Sequence, residues 1–323
     1  GLGVPVDYCG SAGALDDVGV FCAEAGRALC PTLVHSTLLA TFAINTSGTE
    51  AQRERWLPPL TSGVLRATTA LWNPRDAAVV TPVLRAESGA VGWRVGGAAD
   101  FVLDADLADV IVVPASVASG KAMGFVVALD DPSVTLEPLA MMGGYQAFRV
   151  TFDNTAADPA ATFDTEALRR VGNAWVSLLS LDLVGVGEGV LARTVEYTTL
   201  RHQFGRPIAS FQAAQHLVAN MHIALSAARL AARSGIFWIA KGRLAIRETA
   251  VARMQAATAA KLITLDAHQL HGGMGYVTET DLHLWSERAR VLSTLGGGAD
   301  VAAGWLEDEM GLTGRGTECQ PTA

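Results

Sequence analysis

The sequence predicts an α+β chain that is mostly helical. A helical domain is expected at residues 1–63, a small antiparallel β domain at 64–164, a C-terminal four-helix-bundle domain at 165–312, and a flexible tail at 313–323. Three observations carry this reading. Apolar residues recur at helical spacing in the first segment, the middle breaks into short β-rich runs split by Gly, Pro and Asp, and long helical patterns return from Thr165.

In the first segment Leu15, Val18, Phe21 and Cys22 fall on one helical stripe, and Gly48-Thr49-Glu50 opens a further helix before Trp56. The middle segment carries Trp93-Arg94-Val95, Val110-Ile111-Val112-Val113, Phe125-Val126-Val127-Ala128-Leu129 and Phe148-Arg149-Val150-Thr151-Phe152. Their alternation and close turns predict a small antiparallel barrel or sandwich. Helices follow over about 166–200, 210–233 and 245–270, with a last one starting after Thr278 and stopping at Gly296-Gly297-Gly298. Asp281, three residues beyond Thr278, is a partial capping signal. Gly185, Gly187 and Gly189 let a neighbouring helix approach the first of these, and Phe211, Leu217, Met221 and Leu225 mark the core face of the second.

A chain of 323 residues, 50% hydrophobic, can bury a core large enough for more than one domain. Its formal charge of −8 argues against a nucleic-acid partner, which needs a basic face. Asp182 and Glu188, or Arg229 and Arg233, interrupt the most apolar helices, so no uncharged apolar run of about 18 residues predicts a membrane span. The N-terminus has no basic start followed by an apolar stretch. Cys9, Cys22, Cys30 and Cys319 form no C-x-x-C pair. That pattern fits a reduced, cytoplasmic chain without a metal site, its free thiols buried as packing residues.

Two stretches carry chemistry. In Arg201-His202-Gln203-Phe204-Gly205-Arg206-Pro207-Ile208-Ala209-Ser210-Phe211-Gln212, Gly205 and Pro207 make a rigid turn between two helices. Two arginines beside a new helix start form either an anion cradle or a merely solvated turn. In Gln269-Leu270-His271-Gly272-Gly273-Met274-Gly275-Tyr276 the paired glycines either let a ligand approach the backbone or simply cap a helix.

The residue order selects between these alternatives. R-x-Q-F-G-x-P-I-x-x-F-Q resembles the flavin-contacting loop of the acyl-CoA dehydrogenase family, and residues 269–276 resemble its Q-x-x-G-G-x-G-[FY] segment. The resemblance runs from Gly1 to Leu306. It implies a β domain that holds the isoalloxazine ring between two helical domains. Family members usually carry further helical sequence ahead of the Gly1–Pro5 start, so part of one helical layer is expected to be missing.

The family removes a proton from the α-carbon of an acyl thioester while flavin takes a hydride from the β-carbon. That requires a carboxylate base and donors to the thioester carbonyl. The resemblance puts the base at one of two positions, occupied here by Gly296 and Trp175, neither of which accepts a proton. Asp300 lies about one turn past the first. Asp182 and Glu188 read as packing or interface residues. The family's own-side flavin stretch matches Ala70-Leu71-Trp72-Asn73-Pro74-Arg75-Asp76-Ala77-Ala78, where Trp72 adds bulk and Asp76 opposes a pyrophosphate. Its W-I-[TS] motif reads Phe101-Val102-Leu103, without a hydroxyl.

The two retained motifs are those that reach a neighbour's flavin. The resemblance therefore implies an accessory subunit, similar to the non-catalytic chain of actinobacterial α2β2 enzymes that oxidise CoA esters of steroid side chains. A catalytic partner would supply the base, most of the acyl-CoA pocket and its own flavin contacts. This chain would contribute Arg201, Gln203, Phe204, Gly205, Gln212, Gln269, Leu270, His271, Gly272 and Gly273 to a shared FAD. An electron-transfer flavoprotein is the implied acceptor. Two other readings stand beside it: a self-sufficient homo-oligomer using an atypical base such as Asp300, and a flavin-free scaffold.

Overall fold

The computed structural model describes residues 1–90 and 92–312, so the predicted tail and Cys319 lie outside the described residues. Three helices come first: α1 (Leu15–Arg27), α2 (Thr32–Ser47) and α3 (Glu50–Thr61). Thr49 opens α3 with a reciprocal cap, its hydroxyl accepting from the Gln52 amide and the Gln52 side chain from the Thr49 amide.

Seven strands follow: β1 (Ala67–Thr69), β2 (Leu84–Gly89), β3 (Gly92–Leu103), β4 (Val110–Ser116), β5 (Ala122–Ala128), β6 (Val134–Leu139) and β7 (Ala147–Phe163). The order β1-β4-β2-β3-β7-β5 returns on itself because β5 also pairs β4, and β6 adds to β7. The result is a closed barrel, filled by Val95, Ile111, Val113, Phe125, Val127 and Val150. Contrary to the expected antiparallel arrangement, β4 runs parallel to both β1 and β2. Those pairings join segments far apart in sequence, and alternation does not reveal strand direction.

The second half is helical: α4 (Thr165–Leu200), α5 (Gln212–Ala240), α6 (Ile246–His271), α7 (Leu282–Leu292) and α8 (Ala299–Glu309). Asp164 caps α4 by accepting from the Ala167 amide at 2.7 Å. The α4 glycines serve close packing: a Cβ on Gly185 would overlap the Ala23 carbonyl of α1, and one on Gly189 would lie 2.8 Å from the Trp285 indole nitrogen. A short hairpin, β8 (His202–Gln203) with β9 (Arg206–Pro207), joins α4 to α5.

Several expectations need correction here. The glycine triplet does not end the helical region, because Gly298 is the N-cap of α8. Asp281 precedes α7 without capping it; its carboxylate pairs with Arg193 at 2.9 Å. Of the described cysteines only Cys22 is buried, Cys9 being exposed and Cys30 half-buried. By length and composition α4 and α5 are both apolar enough to cross a membrane, since single charges do not offset their Ala, Val and Leu content. Most of the apolar stretch of α4 is buried inside the protein, whereas α5 packs on α1, α4 and α6 and leaves Ile223, Leu230 and Phe237 exposed.

Where α1, α2, α4 and α7 meet, charges are buried. Arg288 grips Asp182 through two hydrogen bonds of 2.9 and 2.6 Å, His35 lies 2.8 Å from the same carboxylate, and Arg288 also donates to the Cys30 carbonyl. Burial alone would raise the Asp182 carboxyl, but the bonds from Arg288 and His35 hold it below the usual range. Asp182 is thus a packing residue, as read from the sequence; Glu188 likewise pairs with Arg229 at 2.7 Å.

Candidate functional site

The two motif stretches meet at one end of the bundle. Helices α4 and α6 run in the same direction: Ser177 and Thr249 touch near their starts, and Tyr197 stacks on His271 at 4.3 Å near their ends. The loop leaving α4 and the glycine turn leaving α6 therefore emerge side by side.

The α4 loop is a two-residue hairpin whose turn residues, Phe204 (φ 54°) and Gly205 (φ 79°), are both left-handed. This is the backbone of a type I′ turn, which favours Asn-Gly and penalises a large side chain at its first position. Placing Phe there costs about 1–2 kcal/mol. Yet Phe204 is 93% exposed, with its ring edge-on to Phe211 at 6.3 Å between centroids. Arg206 lies over the Phe211 ring at 4.0 Å. Arg201, Gln203 and Gln212 are exposed, and Arg201 has no acid partner among the described residues.

On the α6 side Gln269 is exposed, and nothing lies within 4 Å of where a side chain on Gly272 or Gly273 would point. Gly272 is also left-handed at φ 59°. Leu270 and His271 differ from the rest of the predicted set. Leu270 belongs to the bundle core, and His271 is buried with its Nδ1 2.8 Å from the Ala267 carbonyl. Burial pushes the His271 imidazole below its ordinary pKa. Their side chains are committed to this chain's own packing.

The second location is the crevice between α4, the 295–298 turn and the barrel. Trp72 and Trp175 pack there with ring centroids 4.9 Å apart. Gly296 has φ +69°, and a Cβ on it would sit 2.5 Å from the Trp175 ring. Two backbone bonds of 2.9 Å, Gly296 to Pro74 and Ala77 to Gly296, zip the 295–298 turn to the 73–78 turn. Arg253 anchors the same turn from α6 and is fully buried; it donates to the carbonyls of Leu292, Leu295 and Gly297 at 2.6–2.8 Å. Asp76 accepts from the Trp305 indole at 2.9 Å, which engages its carboxylate with α8.

What remains is a cavity of about 50 Å³, bordered by Thr32, His35, Ser36, Trp72, Trp175 and Leu179. That is room for one or two waters, against the hundreds of Å³ of a cofactor or substrate site. A shallower cleft of about 340 Å³ lies outside Trp72, with Arg75 and Phe101 on its walls. Asp300 is exposed on the first turn of α8 and does not border the cavity.

Sequence reasoning missed Tyr197, which couples the two loops, and Arg253. The latter had a signal: it falls at helical spacing among Ala250, Ala256 and Ala257, on a face otherwise free of charge.

A helical layer, a closed barrel and a helical bundle, with two loops displayed at one end of the bundle, define the architecture of a flavin-dependent acyl-thioester dehydrogenase. Comparison with known proteins agrees. The acyl-CoA dehydrogenase N-terminal domain matches residues 1–64 and the acyl-CoA dehydrogenase C-terminal domain residues 177–310. The chain belongs to the acyl-CoA dehydrogenase family. It is 30% identical over 290 residues to acyl-CoA dehydrogenase IpdE2 of Mycobacterium tuberculosis, covering 89% of this chain and 76% of the relative. With acyl-CoA dehydrogenase FadE27 of the same organism it shares 30% over 304 residues, covering 89% and 78%. Among solved structures, a variant of the Tcur3481–Tcur3483 steroid acyl-CoA dehydrogenase superposes with a TM-score of 0.85 at 27% identity, covering 97% of this chain and 85% of that one. The ChsE4–ChsE5 complex of M. tuberculosis gives 0.85 at 26%, covering 96% and 84%.

Proposed function

We propose that this chain is the accessory subunit of a heteromeric, FAD-dependent acyl-CoA dehydrogenase. The observation that carries the reading is the state of its own crevice. The two positions where the family keeps its base, 175 and 296, are a tryptophan and a glycine pressed against each other, and the tryptophan also packs on Trp72. A glutamate at 296 would have its Cβ inside the Trp175 ring contact, and the cavity of about 50 Å³ beside the two tryptophans does not admit an acyl group next to those positions. Both base positions are closed by this packing.

The displayed loops fit part of the cofactor. Arg201 offers a guanidinium without an acid partner among the described residues for a pyrophosphate, Gln203, Gln212 and Gln269 offer amides, and Gly272-Gly273 offers bare backbone. FAD held mainly by a catalytic partner would accept the hydride, while this chain positions its adenosine-diphosphate part. Phe204 would pack against the bound cofactor or the partner surface, offsetting its turn strain. Both structural relatives above are named as pairs of chains, one as a steroid enzyme, which supports a heterotetramer acting on a bulky steroid side-chain CoA ester. An electron-transfer flavoprotein is the proposed acceptor.

The test is co-expression with a catalytic-type chain and measurement of flavin content. About one FAD per pair of chains is expected, by the symmetry of a closed α2β2 assembly. Arg201→Ala should lower flavin retention in that complex. A yellow, active homo-oligomer of this chain alone would refute the proposal, and a stable but colourless complex would reduce it to a scaffold.

A further inference from the structure

Beside the glycine turn, α6 and α7 form an open pocket of about 430 Å³ that contains a serine and a histidine in contact. His268 Nδ1 lies 2.6 Å from the Gly275 carbonyl oxygen, and Nε2 lies 2.7 Å from Ser286 Oγ. A carbonyl oxygen only accepts, so Nδ1 carries the proton of the neutral ring and Nε2 is bare. The Ser286 hydroxyl therefore donates to Nε2 in preference to the Leu282 carbonyl, which is farther at 3.3 Å. Nucleophile, base and an acceptor orienting the base thus stand in line, with a backbone carbonyl in the place of the usual acid. Tyr276 stacks on the imidazole at 5.2 Å and holds its plane.

The lining suits an acyl donor with an anionic group. Lys261, two helical turns before His268, and Arg290, one turn after Ser286, border the pocket without an acid partner among the described residues. The acidic lining residue, Glu287, sits against Gly143. Met142 and Leu265, 52% and 58% exposed, give an apolar wall for an acyl chain.

From this geometry we propose that Ser286 is an acyl-accepting nucleophile with His268 as its base, and that its donors are thioesters or activated esters carrying an anionic group. Ser286 Oγ attacks the acyl carbon as its proton passes to His268 Nε2. The bond to the leaving sulfur or oxygen then breaks, and His268 returns the proton to that atom. The acyl group remains as an ester on Ser286, with nothing oxidised or reduced. Lys261 and Arg290, which border the pocket, hold the anionic group of the donor.

The full chain, incubated with mono-4-nitrophenyl glutarate, should release a burst of about one nitrophenolate per chain, as a single acylated nucleophile requires. Peptide mass spectrometry should place the glutaryl group on Ser286. Ser286→Ala, a change that helices tolerate, should abolish burst and label while circular dichroism stays unchanged. His268→Gln should slow acylation about a hundredfold, the usual scale for losing a general base. Label spread over lysines, or a burst that survives Ser286→Ala, overturns the proposal.

Discussion

Gly296→Ala, measured with and without Trp175→Ala, tests whether the family's base position has been physically closed. In the wild-type background the new Cβ meets two penalties. At φ +69° a non-glycine residue is left-handed, which costs about 1–2 kcal/mol. Its Cβ would also stand 2.5 Å from a Trp175 ring that is already packed on Trp72, and overpacking of that kind costs about 1–3 kcal/mol. The substitution should therefore destabilise by about 2–5 kcal/mol. Trp175→Ala alone should cost about 3–5 kcal/mol by leaving a cavity. In the double variant only the backbone penalty persists, so the costs should fall short of additive by about 1–3 kcal/mol. Urea unfolding of the four proteins, followed by tryptophan-independent far-ultraviolet circular dichroism, gives each value. If Gly296→Ala costs the same in both backgrounds, within about 0.5 kcal/mol, the contact with Trp175 is not what demands glycine there.

Other outcomes follow from the same structure. Phe204→Asn should stabilise the isolated chain by about 1 kcal/mol, since Asn accepts the left-handed turn, while weakening assembly with a flavin-bearing partner in pull-down titrations. Asp182→Asn leaves Arg288 buried without its counter-charge and should cost about 3–5 kcal/mol in denaturant unfolding. Because the folded-state pKa of Asp182 is depressed, its contribution is fully present above the ordinary carboxylate pKa and is lost as pH falls through the folded value. Acid titration of stability should accordingly lose part of its slope below about pH 4 in Asp182→Asn, and an unchanged slope would exclude this carboxylate as the source. Gly185→Ala should cost about 3 kcal/mol in the same unfolding assay, because the rigid Ala23 carbonyl occupies the space of its Cβ.

The long helices were legible because their apolar spacing and glycines constrain packing locally: the three α4 glycines meet α1, α5, α6 and Trp285. The barrel was legible as β structure, but its parallel β4 pairings depend on segments such as β1 and β2 that are brief or weakly patterned. Helix α8 was hidden by the glycine triplet, whose last member caps a helix instead of ending one. At the site, Trp72, Trp175 and Gly296 each stood out singly in the sequence. That they touch is a tertiary fact that no spacing records. For Leu270 and His271, a motif position says where the backbone runs, whereas the buried side chains answer to the local core.

The ring-on-ring contact between Tyr197 and His271 has a mechanical consequence. Two helices that run the same way and touch at their outgoing tips couple the loops that leave them. A change at either ring would therefore be felt by the hairpin and the glycine turn together.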